Sequence, residues 1–234
     1  AYNVQSAVDA LHGLIVHHEV TNAGTDNAQL EPMAAQAKAV LGVGALEVVA
    51  DAGYSNGAQF EACERSAITP YVPANRSANS TGDGGFYPAT SFAYEAGTDT
   101  CRCPAGKVLT LKQVDQVQLR RVYAADARDC ANCALKPRCT RAARRFIQRH
   151  WHEDAFERMA RRLALQPDMM ARRRCLAEHP FGQIKCWVMG DARLLLRGLG
   201  GAKTEMALAV LARNLGRAIN ILGAKNLIAR LATA

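Results

Sequence analysis

Residues 46–54 read LEVVADAGY, a short β-branched run that stops at Asp51 directly before a glycine turn. Residues 2–9 read YNVQSAVD, in which apolar and polar side chains alternate up to a final acid, Asp9. Each stretch therefore predicts a β-strand that delivers an aspartate at its end.

The surrounding segments predict an α/β layout. A second strand should cover residues 14–20 after a turn at His12-Gly13, and a last strand should cover residues 68–72. Helices are expected over residues 27–41 and from Ser55 to Ser66. This order favours a mixed sheet with flanking helices, in which adjacent strands could bring the two aspartates together.

A third stretch, residues 172–185, reads RRRCLAEHPFGQIK and places a carboxylate among cations. On a helix, Arg174, Glu178 and Lys185 share one face, with Phe181 beside them as an apolar anchor. A metal-bound phosphate would contact the arginine, the glutamate and the lysine together. The alternative is an ordinary surface helix with an ion pair four residues apart. Two strand-end aspartates and a helical glutamate are a minimal set for holding two magnesium ions in an RNase-H-like sheet.

Four segments, YNVQSAVDA, VVADAGYSNG, EHPFGQIK and TEMALAVLARNLGRAIN, resemble the catalytic domain of DDE-type transposases of bacterial insertion sequences. The similarity is to the subgroup with a tyrosine-arginine-glutamate-lysine signature. The resemblance assigns five site residues, three acids followed by the signature arginine and lysine: Asp9, Asp51, Glu178, Arg174 and Lys185. The signature tyrosine would fall at Ala171, which puts in doubt one contact near the DNA backbone.

The resemblance implies DNA strand cleavage and strand transfer with Mg²⁺ or Mn²⁺ at the three acids. The implied fold class is α/β, an RNase-H-like mixed sheet with flanking helices, interrupted by a cysteine-containing insertion. Residues 1–74 and 146–234 would form the catalytic core, and residues 75–145 the insertion. Expected partners are the transposon ends, target DNA and a second or further copy of the chain, in the bacterial cytoplasm.

Composition and charge agree with a DNA-acting protein. The 234 residues are 49% hydrophobic and 21% charged, which is typical of a globular chain, and no uncharged apolar run reaches the length of a membrane span. Residues 1–100 carry three Lys or Arg against eleven Asp or Glu, whereas residues 101–234 carry 26 against 10. We therefore expect a polyanion to bind the second half of the chain. The alternative is that these basic residues form a solvent-exposed helix face.

The expected insertion begins after a low-complexity stretch, residues 75–85, and contains five cysteines. Four of them could hold structural zinc: Cys103, Cys130, Cys133 and Cys139. Cys101 could replace Cys103, and reduced, unligated thiols are the alternative. Directly afterwards, Arg141, Arg145 and Arg149 recur every fourth residue and predict a helix with a basic stripe.

The last predicted helix carries five apolar side chains on one face and is interpreted as core: Leu208, Leu211, Leu215, Ile219 and Leu222. Asn214 and Arg217 resemble the closing motif of the family, but a solvated face would explain them equally well. Because the chain begins within a predicted strand, we expect it to be the C-terminal part of a longer protein. Two other functions stay open: a metal-dependent nuclease without strand transfer, and a non-catalytic DNA-binding remnant.

Overall fold

The computed structural model describes residues 2–75, 85–173, 176, 179–190 and 193–233. The chain divides into two compact units, Ala1–Ala74 with Ala155–Ala234, and Asn75–Asp154. Helices and strands occur in both, as a mixed α/β chain. Within the described ranges, none of the helices combines the length and apolar character that a bilayer crossing requires.

The first unit begins with an antiparallel hairpin of β1 (Asn3–Val8) and β2 (Ile15–Thr21). A tight turn joins the strands, in which the N–H of Gly13 donates to the carbonyl of Asp9 at 2.9 Å. Gly13 has φ +68°, a left-handed conformation that glycine adopts without a Cβ clash. The predicted hairpin and its turn are therefore confirmed.

A parallel pair follows, formed by β3 (Leu46–Val49) and β4 (Ile68–Tyr71) on either side of helix α2 (Gly57–Arg65). In the described residues, β1–β2 and β3–β4 are two separate two-stranded sheets. The single mixed sheet expected from the sequence, with the strands of Asp9 and Asp51 adjacent, is thus not what the structure contains. Helix α1 (Leu30–Leu41) packs on strands of both pairs and connects them.

Further helices complete the first unit. They are α4 (Glu153–Leu165), α5 (Asp168–Arg173), α6 (His179–Gln183), α7 (Gly198–Leu222) and α8 (Ala224–Leu231). One core surrounds Phe60, which is fully buried, and includes Met159 of α4. A second core joins Val20 of β2 to Ile184 and Met206. Helix α4 therefore packs with the β3–β4 pair and α7 with the β1–β2 pair, each in a separate apolar core.

Helix α7 buries a different face from the predicted one. Its buried residues include Ala202, Met206, Ala209 and Val210. Leu208 and Leu211 are each 63% exposed, and Leu215 is 48% exposed. The assignment of this leucine stripe to the core is therefore wrong, because the buried side of α7 is formed by Ala202, Met206, Ala209 and Val210 rather than by the leucines.

The second unit is an antiparallel sheet of five strands in sequential order, with the short helix α3 (Ala127–Ala131). Its strands are β5 (Ala93–Glu95), β6 (Thr100–Arg102), β7 (Val108–Asp115), β8 (Arg120–Ala125) and β9 (Phe146–His150). Tyr123 and Leu109 are fully buried in its core. Because residues 146–150 pair with β8, the basic helix expected over Arg141–Arg149 is not formed.

Candidate active site

Asp51 lies just after β3, as the sequence predicts, and caps a short 3₁₀ turn, Ala52–Tyr54. Its Oδ1 accepts a hydrogen bond from the N–H of Gly53 at 2.8 Å. A Cβ on Gly53 would lie 2.9 Å from the same oxygen, so a larger residue would displace the carboxylate. Asp51 is nevertheless exposed. Its carboxylate is therefore oriented by the turn and accessible to a ligand from solvent.

A second carboxylate, Asp26, lies beside Asp51 and was not among the residues predicted from the sequence. Asp26 Oδ2 is 3.4 Å from the Cβ position of Gly53 that Asp51 also contacts. Asp26 and Asp51 line a common cavity of about 540 Å³, together with Arg173. Two neighbouring carboxylates repel one another, and a cation such as Arg173 or a bound metal ion relieves that repulsion.

A polar network fixes Asp26. Its Oδ1 accepts hydrogen bonds from Asn3 Nδ2 and from Gln5 Nε2, each at 2.7 Å. Gln5 is only 3% exposed, and the Tyr54 hydroxyl donates to its Oε1. Burial, followed by the charges of Asp26 and Asp51, raises the pKa of Tyr54, so the hydroxyl remains a donor. Asn3 and Gln5 lie two residues apart on β1, so their side chains point to the same face of the strand. In the sequence, these two polar residues were the only indication that another polar side chain would pack against that face.

Asp9 lies at the hairpin turn and is bonded to the backbone. Its Oδ1 accepts from the N–H of Leu11 at 3.0 Å, and its Oδ2 accepts from the N–H of His12 at 2.8 Å. The His12 ring nitrogen Nδ1 is 3.0 Å from the same Oδ2. Burial is the largest single influence and raises the pKa of Asp9, but the hydrogen bonds and the nearby His12 together outweigh it and hold the pKa below its usual value. Asp9 therefore has a structural role in the turn, whatever else it binds.

Asp9, Asp51 and Lys185 line one cavity of about 740 Å³ in the first unit. Residues from β1, β3 and α1 form most of its wall, and Arg173, Leu176 and Phe181 complete it. Two of the three predicted acids and the predicted lysine therefore border the same space, although their strands are not paired. The cavity has an apolar floor on α1 and charged groups at its rim.

The remaining predicted site residues, Glu178 and Arg174, lie outside the described residues. The chain on either side is described: α5 ends at Arg173 and α6 begins at His179. Ala171, at the position of the signature tyrosine, is exposed on α5. Arg173, which the sequence analysis did not single out, lines both cavities that Asp51 borders.

Lys185 is exposed, and its Nζ lies 5.9 Å from the centroid of the Phe181 ring. A cation over an aromatic face is held by the ring quadrupole. The predicted anchor Phe181 is half-buried and packs against the core around Ile184, which follows it on a π-helical turn. Phe181 therefore keeps the lysine ammonium at the edge of the cavity.

Among the described residues, no group of three or more His, Cys, Asp or Glu side chains is arranged to hold a metal ion. This holds for the acids of the first unit and for the cysteines of the second. Carboxylate oxygens are the donors that magnesium prefers, but Asp9, Asp26 and Asp51 do not converge as one group of three.

In the second unit, the four cysteines predicted to bind zinc line one cavity of about 30 Å³: Cys103, Cys130, Cys133 and Cys139. All the described cysteines are free thiols. Cys101 is instead buried in the sheet core at 2% exposure. Burial, opposed by Arg145 and reinforced by the other three thiols, raises the pKa of Cys139. The four thiols therefore share one cavity, although they are not arranged as a group that could hold a metal ion.

The loop that carries Cys103 has the geometry of a tight turn around its sulfur. The N–H of Lys107 points at Cys103 Sγ at 3.3 Å, and the N–H of Gly106 donates to the carbonyl of Cys103 at 2.8 Å. Gly106 has φ +78°. This backbone contact fixes the Cys103 sulfur at the cavity that the other three cysteines also line.

Asn214 and Arg217 of α7 bind the hairpin that carries Asp9. Asn214 Oδ1 accepts from the N–H of Ile15 at 3.0 Å, and its Nδ2 donates to the carbonyl of Ile15 at 2.8 Å. Arg217 Nε donates to the carbonyl of His12 at 2.6 Å. The solvated-face explanation is therefore wrong for Asn214, which is half-buried against the hairpin. Arg217 is exposed, but its side chain also binds the turn beside Asp9.

A family model described as a transposase DDE domain matches residues 102–219, half of the chain. The match includes the cysteine cavity, Lys185 and most of α7, whereas Asp9 and Asp51 precede it. No match was found among curated proteins or among solved structures. On the strength of the family match, this chain belongs to the transposase DDE domain family.

Proposed function

We propose that the chain is the catalytic domain of an insertion-sequence transposase, and that it cleaves DNA strands and transfers them to a target. The observation that carries this proposal is the cavity that Asp9, Asp51 and Lys185 share in a member of the transposase DDE domain family. Two acids and a cation at one concave surface fit a phosphodiester and the ions that accompany it.

Transposase DDE domains generally use divalent metal. In this chain, Asp9, Asp51 and Glu178 would hold Mg²⁺ or Mn²⁺, because their carboxylate oxygens match the preference of these ions. When bound, such ions would activate a water, or the 3′-hydroxyl of a DNA strand, and would stabilise the leaving oxygen. The 3₁₀ turn orients the Asp51 carboxylate before any ion arrives, and exposure leaves it accessible.

The cations at the cavity have a separate role. Lys185, held over Phe181, would neutralise phosphate charge as a point charge. Arg174 would do so with its bidentate guanidinium. Arg173 lines the same cavity as Lys185 and is a further candidate for this role. The RNase-H-like arrangement and the division into a core, residues 1–74 and 146–234, and an insertion, residues 75–145, belong to the same proposal. In the structure the second unit extends further, to Asp154, because β9 pairs with β8.

Asp26, rather than Asp9, could be the second carboxylate that binds metal together with Asp51. Asp26 and Asp51 both lie close to Gly53, whereas both carboxylate oxygens of Asp9 already accept hydrogen bonds from backbone N–H groups. We therefore treat Asp26 as the competitor of Asp9 for the metal-binding role. Comparing Asp9→Asn with Asp26→Asn separates the two assignments.

We also propose that the second unit binds structural zinc through Cys103, Cys130, Cys133 and Cys139. The cavity that they line has room for a single ion, and a backbone N–H holds the Cys103 sulfur at it. Zinc would fix the loops around α3 to the sheet and would take no part in the reaction. The metal content of purified protein, measured by mass spectrometry, tests this independently of activity.

The central test is a supercoiled plasmid assay with donor DNA ends in Mg²⁺ or Mn²⁺. Joined products support transposase activity, nicking alone indicates a nuclease without strand transfer, and salt-dependent binding without cleavage indicates a DNA-binding remnant. Asp51→Asn should abolish the reaction. Glu61→Gln on α2, which does not line either cavity, is the matched control and should leave it unchanged.

A further inference from the structure

The second unit carries a run of cations that its own acids do not neutralise. Residues 136–145 read KPRCTRAARR, with five cations and no acid. Acids elsewhere in this unit pair with other cations at 2.8–3.3 Å: Glu95 with Arg102, Asp126 with Arg128, and Asp129 with Lys107. Within the part of the chain that the structure describes, Arg138, Arg141 and Arg144 form no ion pair.

Each of these three arginines lies over an aromatic ring. The pairs, with the distance from Cζ to the ring centroid, are Arg138 over Tyr87 at 5.3 Å, Arg141 over Phe86 at 5.6 Å, and Arg144 over Phe146 at 5.3 Å. We call these six residues the arginine–aromatic surface. Attraction to the ring orients a guanidinium without neutralising its charge. Arg138 and Arg141 are exposed and Arg144 is half-buried, so this charge is accessible from solvent.

A fourth arginine fixes the loop that carries this surface. Arg145 donates from Nη1 to the carbonyl of Cys139 at 2.7 Å and from Nη2 to the carbonyl of Tyr87 at 3.0 Å. The N–H of Tyr87 in turn donates to the carbonyl of Arg138 at 2.9 Å. The loop is therefore bonded to the segment of Phe86 and Tyr87 before any partner binds, which lowers the entropy cost of ordering its arginines on binding.

The chemistry of this surface fits a phosphate backbone. Guanidinium groups bind phosphate oxygens bidentately, and clustered cations that lack an acidic partner gain affinity for a nucleic acid by releasing its counterions. We propose that the arginine–aromatic surface of the second unit binds the DNA backbone, through residues other than those that line the cavity of the first unit. The choice of DNA as the polyanion rests on the proposed function. The second unit would then bind substrate, in addition to any structural role of zinc.

Fluorescence anisotropy of the full chain with a labelled DNA duplex of arbitrary sequence, without added Mg²⁺ or Mn²⁺, tests the surface. Counterion release at one phosphate contributes about eightfold at about 0.1 M salt, so Arg138→Gln, Arg141→Gln and Arg144→Gln should each raise the Kd about eightfold. Each should also lower the slope of log Kd against log salt concentration by about 0.9. Lys112→Gln, the matched control, removes the same charge from an exposed position on β7 and should change neither quantity.

Two conservative variants separate charge from orientation. Arg141→Lys keeps the charge, so the salt slope should stay at the wild-type value. Phe146 is 45% exposed, so folding should tolerate Phe146→Leu. This variant leaves the charge of Arg144 but removes the ring that orients it, and should raise the Kd about threefold with an unchanged salt slope. Wild-type affinity in Phe146→Leu would overturn the role of the aromatic rings.

Wild-type affinity in all three glutamine variants would overturn the proposal. An equal loss in Lys112→Gln would also overturn it, because only the net charge of the chain would then matter. The plasmid assay keeps this result apart from the proposed reaction. Asp51→Asn should bind the duplex no more weakly than wild type, so a chain that binds through this surface without cleaving would support the inference and refute the catalytic proposal.

Discussion

Replacing Asp9 separates its role in the turn from its proposed role at the metal ions. Its carboxylate receives two backbone N–H groups and approaches the His12 ring, at 2.8–3.0 Å. A partly exposed cap of this kind contributes about 1–2 kcal/mol. Asp9→Ala should therefore lower the melting temperature by about 2–8 °C in a chain of this length. Asp9→Asn keeps an acceptor oxygen and should lose less than half of that.

The two variants should differ in stability but not in activity. If Asp9 binds metal, both should lose DNA cleavage, because the amide oxygen of Asn is a poor substitute for a charged ligand. Calorimetry measures the change in stability, and the plasmid assay measures the loss of DNA cleavage. An Asp9→Asn protein that cleaves DNA at the wild-type rate would refute the catalytic assignment and leave Asp9 as a turn cap. Asp26→Asn would then be the variant expected to be inactive.

Asp9 also gives the hairpin a defined pH dependence. Its pKa is lowered in the folded protein, so its stabilisation is present above the pKa of the unfolded chain, about 4. That stabilisation should be lost as the pH falls through the lower, folded pKa. The difference in melting temperature between wild type and Asp9→Ala should therefore be full at pH 6 and shrink below about pH 4. A difference independent of pH would contradict the carboxylate hydrogen bonds.

Three further substitutions test other parts of the chain. Gly53→Ala should reduce DNA cleavage at least about tenfold at little cost in stability, because the new Cβ would lie 2.9 Å from Asp51 Oδ1. Cleavage at the wild-type rate would show that the orientation of the Asp51 carboxylate is unimportant. Cys133→Ser should remove zinc, as measured by metal analysis, and should lower the melting temperature of the second unit. An unchanged metal content would exclude Cys133 as a ligand. Asn214→Ala should destabilise the protein by about 2 kcal/mol in urea unfolding, because it leaves the N–H and carbonyl of Ile15 without their side-chain partner.

The local elements were predictable because their signals are local. The run of Val48 and Val49 and the turn at Gly53 placed a strand and its aspartate correctly. The alternation over residues 2–9 likewise predicted β1, and Gly13 marked the hairpin turn. Each prediction depended on neighbours within a few residues, where propensity and turn chemistry decide the backbone.

The errors arose where tertiary contacts decide. The leucines of α7 have an ideal helical spacing, but periodicity shows only that they share a side, not which side of the helix is buried. The arginines at 141, 145 and 149 fit a helix, yet residues 146–150 pair with β8 because the sheet supplies the hydrogen bonds. Asp26 follows β2 in a polar loop, and only the folded chain shows that Gln5 and Gly53 lie beside it.

Asn214 also has a consequence for the edge of the hairpin. Its side-chain amide presents one donor and one acceptor to Ile15, the same pair that a residue of a neighbouring strand would present. The start of β2 is therefore closed to strand addition at this point, and another chain could not extend the sheet there without displacing α7. A helix residue thus protects an exposed strand from edge-to-edge aggregation.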